Sequence, residues 1–353
     1  MNFIQNLKKV RVPMFSSLNV AIDLGTTNIR IGIRDKGITL DEPTAIGKNL
    51  KNNEYVFFGN EAKTIMGKVP DFIKIERPIV NSIISSFDGT VALLEKDLQR
   101  SVMPYLSAYP FLKPGIHMHA AVPSTATEIE QKAVEEVLQK CGASEISIYE
   151  KAVVTGIGCG FNIFVHHPIC IIDMGGGLIE ISILSGGGVV LQKTLKIAGE
   201  HMNKIIYNYL YLKHGIMIGE NSCEDLKIAL ANFGSEEKTM LVRGKSLETG
   251  LPKSVKVRSS DVKEALLTSF NHIVDSMKEV VELAPPEVVD ELYKNGVILT
   301  GGLAQIPGLD VFFSSELDLP VKIAEQKQHA TINGILKVSR RSEQVHKLRI
   351  QIP

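Results

Sequence analysis

Two aspartates, 150 positions apart, each stand just ahead of a glycine turn. Asp23 lies in VAIDLGTTNIRIGI and Asp173 in CIIDMGGGLIEISI. A polyphosphate needs many N–H donors and no side-chain bulk between them and its oxygens. Gly25 with Thr26 and Thr27 offers that on one hairpin, and Gly175, Gly176 and Gly177 offer it on the other. Two such turns facing each other would clamp the β- and γ-phosphates of a nucleotide from both sides. Asp23 and Asp173 would then hold Mg²⁺, through its waters, because this ion keeps much of its hydration shell.

The elements that must position these groups repeat. Each segment reads apolar run, Asp, apolar residue, Gly, small residues and an alternating strand. A third strand follows in both cases, GITLDEPTAI after the first and GGGVVLQKTL after the second. Two related units half a chain apart predict an α/β fold with two subdomains around a cleft. Between them, TEIEQKAVEEVLQKCG opens on Thr127 with Glu130 three positions later, a capping box, and closes at Gly142. SSDVKEALLTSFNHIVDSMKEVVEL predicts a helix that stops at Pro285 and Pro286. GVILTGGLAQIPGL reads as a strand, a Gly-Gly turn and a helix start, a second place where a ligand can approach backbone closely.

The 353 residues carry 39 Lys+Arg and 39 Asp+Glu, and this balance argues against a general nucleic-acid binder. Four cysteines, none paired at metal-ligand spacing, read as buried reduced thiols of a cytoplasmic protein. No secretory signal and no bilayer-spanning apolar run is recognised. Phe3, Ile4, Leu7 and Val10 at helical spacing, with Lys8, Lys9 and Arg11 before Pro13, suggest contact with an anionic membrane surface. The tail carries Arg340, Arg341, Lys347 and Arg349 and suggests the same more weakly. His117 and His119 alternate on a strand and read as an exposed or interface face, with a metal pair as the alternative. YPFLKPG, Tyr109 to Gly115, reads as an apolar loop bounded by prolines.

The motifs resemble the MreB family of bacterial actins, within the superfamily of actin, DnaK-type chaperones and sugar kinases. IDLGTTN and IDMGGGLIE are similar to that family's two phosphate loops, and AVPSTATEIEQKAV to its VPSGxTxxExRAV segment. VRGKSLETGLP and VILTGGLAQIPGLD match two further motifs, and IGENSCEDLKIAL looks like the helix that meets adenosine. The resemblance covers most of the chain. It implies an actin-like ATPase fold of four subdomains. Subdomain IA would comprise 1–46, 88–158 and 328–353, and IB 47–87. Subdomain IIA would comprise 159–195 and 265–327, and IIB 196–264. It also implies ATP or ADP with Mg²⁺ in the cleft, bound by Thr26, Thr27, Asn28, Gly175, Gly176, Gly177, Glu224, Lys227, Gly301, Gly302, Leu303 and Ala304. Asp23 and Asp173 would serve the metal. Self-association into protofilaments is the implied assembly, with membrane association and other MreB paralogues as further partners.

Departures from the family pattern bear on mechanism. Where the family has EEPMAAAIGAG, this chain has EKAVVTGIGCG, so Lys151 falls on the water-positioning Glu and Ala152 on its Pro. Leu178 and Ile179 replace the threonines of GGGTTE. A charged lysine cannot accept a proton from water, but it can pair with the γ-phosphate. The reading is therefore an ATP-binding filament protein for cell shape or motility with weak or absent hydrolysis, a divergent paralogue of the kind expected in a wall-less bacterium. Under a one-residue shift Glu150 would remain catalytic, and the chain would be a conventional ATP-hydrolysing MreB organising wall synthesis. A sugar or acetate kinase is the alternative of another class. It requires a catalytic Asp facing a substrate hydroxyl, and no convincing position supplies one. The family's GxIADF segment appears as NSIISSF, with Ser85 or Ser86 in place of the acid, an alteration expected at the cleft or at a protofilament contact.

Overall fold

Runs of β-branched and aliphatic residues, bounded by turns, build two five-stranded sheets of the same plan. The computed structural model describes residues 17–106, 114–340 and 348–350. In the first sheet β1 (Leu18–Leu24), β2 (Asn28–Ile33) and β3 (Gly37–Pro43) form an antiparallel meander. Two strands, β4 (Ile116–Val122) and β5 (Glu145–Glu150), continue the sheet in parallel from β1. The second sheet repeats the plan. Its meander is β6 (Ile169–Met174), β7 (Ile179–Ser185) and β8 (Gly188–Leu195), and β9 (Val297–Thr300) and β10 (Val321–Ile323) add in parallel beside β6. The repeat read in the sequence is thus a repeat in topology.

Val20, Ala21 and Ile22 are all fully buried, because helices cover both faces of the sheet. One face packs on α1 (Phe87–Ser101) and α2 (Glu128–Lys140), through Leu93, Leu94, Val137 and Leu138. The predicted capping box is formed: the Glu130 backbone N–H donates to the Thr127 hydroxyl, and the Thr127 N–H donates to the Glu130 carboxylate. In the second sheet Ile172, Met174, Ile179 and Ile181 pack on α4 (Gly199–His214), α5 (Glu220–Leu230) and α6 (Ser259–Leu283). α6 stops before Pro285, as its sequence predicts, and the next helix begins at Pro286. Two three-stranded antiparallel sheets and a two-stranded pair, Ile79–Val80 with Ile83–Ile84, are also present. One three-stranded sheet joins Ile46–Asn49, Glu54–Phe58 and Ile73–Glu76, and the other joins Ile216–Met217, Thr239–Ser246 and Pro252–Arg258. Among the described residues no helix is long and apolar enough to cross a membrane.

One short helix, α3 (Lys151–Gly158), is wedged between the two large sheets. Its Val154 joins the cluster under the first sheet, and its Ala152 and Val153 join a cluster with Ile171, Leu184 and Ile298 of the second. α7 (Ala330–Val338) packs on α3 with the backbones in near contact. A Cβ on Gly158 would strike the Ala330 carbonyl, and one on Gly334 would strike the Val154 carbonyl. These two glycines set the position of α3, and hence of Lys151 at its first residue.

Some expectations change. His117 and His119 face one side of β4 but are buried, 6% and 2% exposed. The strand lies inside the sheet with both faces covered. Their rings stack at 3.9 Å. His117 bonds Ser147 at 2.8 Å, and His119 bonds Tyr149 at 3.0 Å and Asn19 at 2.9 Å. Burial, then the neighbouring His117, pushes the His119 pKa down to about 3. The basic tail is partly engaged: Arg340 pairs with Asp35 at 3.4 Å and Arg349 with Glu145 at 3.6 Å. The amphipathic segment at Phe3–Pro13, most of YPFLKPG, and Arg341 and Lys347 lie outside the described residues.

Two measurements follow. Gly334→Ala is expected to lower the free energy of urea unfolding by about 3 kcal/mol, the upper end of the usual overpacking cost, since the obstructing atom is backbone. Asp97 in α1 is fully buried and both its carboxylate oxygens lack a hydrogen-bond partner. Burial, and then Glu42, push its pKa up to about 7. Folding therefore favours its protonated form, and this contribution is complete below about pH 4 and lost as pH rises through about 7. Asp97→Asn is expected to add about 1–3 kcal/mol at pH 8.5 and to flatten the fall in stability between pH 5 and 8.5.

Candidate functional site

The register of each hairpin decides what stands beside its aspartate. Across β1 and β2 Asp23 is opposite Arg30, and across β6 and β7 Asp173 is opposite Glu180. The partner comes seven positions later in both repeats. The first pair is self-neutralising: Arg30 Nη1 lies 3.3 Å from Asp23 Oδ2, while Arg30 Nε reaches Asp41 Oδ2 at 3.1 Å. The second sets two carboxylates directly opposite each other in a buried position, which is unfavourable without a cation between them.

Lys151 is that cation. Its Nζ lies 2.8 Å from Asp173 Oδ2 and 2.9 Å from Glu180 Oε2. A lysine at the first residue of a helix sits against the helix dipole, and its own burial disfavours the charge. Burial opposes the ammonium, but Asp173, then Glu180 and Asp23, hold its pKa above the ordinary lysine range. Burial raises the Asp23 pKa; Arg30 and Lys151 work against this, and Asp173 adds to it. Glu150, one residue earlier, ends β5 at the N-cap position of α3, makes no side-chain capping bond and joins none of these ion pairs. Leu178 is buried and its side chain can orient no water.

The two glycine turns meet. A Cβ on Gly176 would collide with the Thr27 hydroxyl, and one on Gly177 with the Thr26 hydroxyl. Thr26 Oγ1 accepts from the Ser82 N–H at 2.7 Å. This brings NSIISSF to the cleft, with Asn81 and Ser82 both in left-handed backbone and Ser86 at the start of α1. Asn28 is turned to Asp41, at 2.6 Å. The carbonyls of Gly175 and Gly176 accept from the first N–H groups of α4, at Gly199 and Glu200, which ties the second turn to that helix.

The remaining predicted residues fall on the rim. Gly301 lies over Met174 and Asp173: a Cβ there would stand 2.8 Å from Asp173 Oδ1. Gly302 is open on that side, while Leu303 and Ala304 point into the core, so only their backbone can meet a ligand. Lys227 Nζ donates to the Gly199 carbonyl at 2.7 Å, and burial pushes its pKa down to about 8 despite Glu224 and Glu200. Glu224 pairs with Lys63 at 2.8 Å. Arg77 pairs with Glu200 at 3.2 Å and also with Glu220, so residues 63–77 and 200–224 are linked across the top of the cleft. Sequence reasoning missed Arg30, Asp41 and Glu180. The seven-residue hairpin offset was the signal available for Arg30 and Glu180.

The fit to Mg²⁺ is poor in this arrangement. Each carboxylate proposed for the ion already holds a side-chain cation, Arg30 on Asp23 and Lys151 on Asp173. Among the described residues no group of three or more His, Cys, Asp or Glu side chains is arranged to hold a metal.

Comparison with known proteins gives a consistent answer. The sequence model of the MreB/Mbl protein family matches residues 17–347. The chain is 34% identical to the cell shape-determining protein Mbl of Bacillus subtilis over 90% of its own length and 94% of the relative. It is 31% identical to the cell shape-determining protein MreB of Escherichia coli K12, over 93% and 94%. Among solved structures, MreB 5 of Spiroplasma citri bound to AMPPNP superposes with a TM-score of 0.87 at 29% identity, covering 95% of this chain and 98% of that one. The MamK double helical filament matches at a TM-score of 0.76 and 18% identity, over 92% and 99%, a likeness of fold.

Removing Lys151 would leave Asp173 and Glu180 opposed and unpaired. Lys151→Met is expected to cost about 3–5 kcal/mol in urea unfolding. Adding Glu180→Gln should recover part of that loss, and a double-mutant cycle measures the coupling.

Proposed function

The chain belongs to the MreB/Mbl family and has its actin-like ATPase fold, and from this premise we propose that it is a nucleotide-binding cytoskeletal protein that polymerises and hydrolyses ATP weakly or not at all. The glycine turns and Gly301 form the phosphate end of the site in this reading, and Lys227, Glu224, Gly302 and the backbone of Leu303 and Ala304 the adenosine end. In this reading the four units are those bounded above; the presence of four larger sheets supports it. MreB 5 of Spiroplasma citri has been solved bound to AMPPNP, and MamK as a double helical filament; both support carrying nucleotide and self-assembly to this chain.

The single observation behind the hydrolytic part is the pairing of Lys151 with Asp173 and Glu180. In-line attack on a γ-phosphate needs a group that orients or deprotonates water. The position that the resemblance gives to a glutamate holds a locked ammonium instead, and Leu178 contributes no hydrogen bond. Loss of one such group typically costs about two to four orders of magnitude in rate. Contact of residues 3–13 with an anionic membrane, and co-assembly with other MreB-family chains, belong to the same reading and rest on the sequence pattern.

Single-turnover phosphate release and negative-stain microscopy test it together. Filaments with ATP, and no phosphate release above background over an hour, are expected. Rapid release on mixing with Mg-ATP would return the chain to the hydrolysing class and assign Glu150 the catalytic role.

A further inference from the structure

We propose that Lys151 is a built-in substitute for the divalent cation, so that this site takes the metal-free form of a nucleoside triphosphate. The inference rests on the nucleotide-binding reading above and deepens it. Its ground is the geometry of the charged centre. Asp173 and Glu180 are forced into opposition by the β6–β7 register, and something positive must lie between them. In this chain that position is filled by an atom covalently fixed to α3, at 2.8 and 2.9 Å from the two carboxylates. Asp23, the other carboxylate at the turns, is satisfied by Arg30 at 3.3 Å. A free cation would have to compete for oxygens that the chain already occupies.

The charge count agrees. Replacing a glutamate by a lysine at this position raises the local charge by two units, the charge of one Mg²⁺. An ammonium has three donors; Lys151 hydrogen-bonds Asp173 and is ion-paired with Glu180, whose Oε2 has no hydrogen-bond partner, so a donor remains for a phosphate oxygen. A second cation, Lys227, stands beside the same turns: its Nζ is 3.3 Å from where a Cβ on Gly199 would be, and that Cβ would also be 3.3 Å from Gly176 Cα. Lys151 cannot easily leave. Its helix is held between two sheets and against α7 by the Gly158–Gly334 crossing.

Isothermal titration of the full chain with AMPPNP tests the assignment, in EDTA and in excess Mg²⁺ at matched ionic strength. A Kd that changes by less than threefold between the two conditions is expected. A larger weakening in EDTA would overturn the inference and leave the nucleotide-binding reading standing. No binding in either condition would remove both. Lys151→Glu is expected to bind with a Kd at least tenfold weaker in EDTA than in Mg²⁺, and unchanged metal independence in that variant would overturn the role given to Lys151. If Lys151→Glu does not fold, Lys151→Gln serves the same purpose, and the wild-type comparison decides the metal question without either variant.

Discussion

The arrangement of this cleft depends on one electrostatic constraint: two buried carboxylates, Asp173 and Glu180, held directly opposite each other by a hairpin register. Register cannot slip to relieve it, because a one-residue shift would turn Ile172 and Ile181 out of the core. A cation between them therefore stabilises the fold. Lys151 supplies it from the end of a helix, where a positive charge is otherwise disfavoured. The equivalent hairpin of the first repeat solves the same problem within itself, by placing Arg30 opposite Asp23.

The packing around α3 follows from that constraint. An ammonium that bridges two sheet carboxylates must be delivered accurately, and a single helical turn exposed to solvent would not do so. α3 contributes Ala152 and Val153 to one interior and Val154 to another, so it belongs to both halves of the molecule. The close approach of α7, possible only because Gly158 and Gly334 lack side chains, fixes it from the third side. A charge at the glycine turns is thereby coupled to the packing that joins the two large sheets.

Much of this was legible in the sequence, for stated physical reasons. The duplicated Asp-then-glycine pattern specified two equivalent meanders, and the alternation after each turn specified their strands. The capping box at Thr127 and the prolines after Leu283 fixed helix ends, since these are local effects. The departure at Lys151 was visible against the resemblance, but its partners were not. A pairing with the γ-phosphate was the natural expectation for an isolated lysine; Glu180 as its second partner depends on cross-strand register, which pattern alone leaves open. His117 and His119 misled for a related reason. Alternation gave their shared face correctly but could not say that both faces of that strand are covered, or that Ser147, Tyr149 and Asn19 would satisfy them.

The central claim is that the ammonium of Lys151, and no free metal ion, neutralises the phosphate turns when nucleotide is bound. The most direct measurement is anomalous scattering from crystals of the full chain grown with AMPPNP and Mn²⁺. The account predicts nucleotide density in the cleft, Lys151 still between Asp173 and Glu180, and no manganese peak at either aspartate. A manganese peak beside Asp173 or Asp23, with Lys151 swung away from its partners, would contradict it.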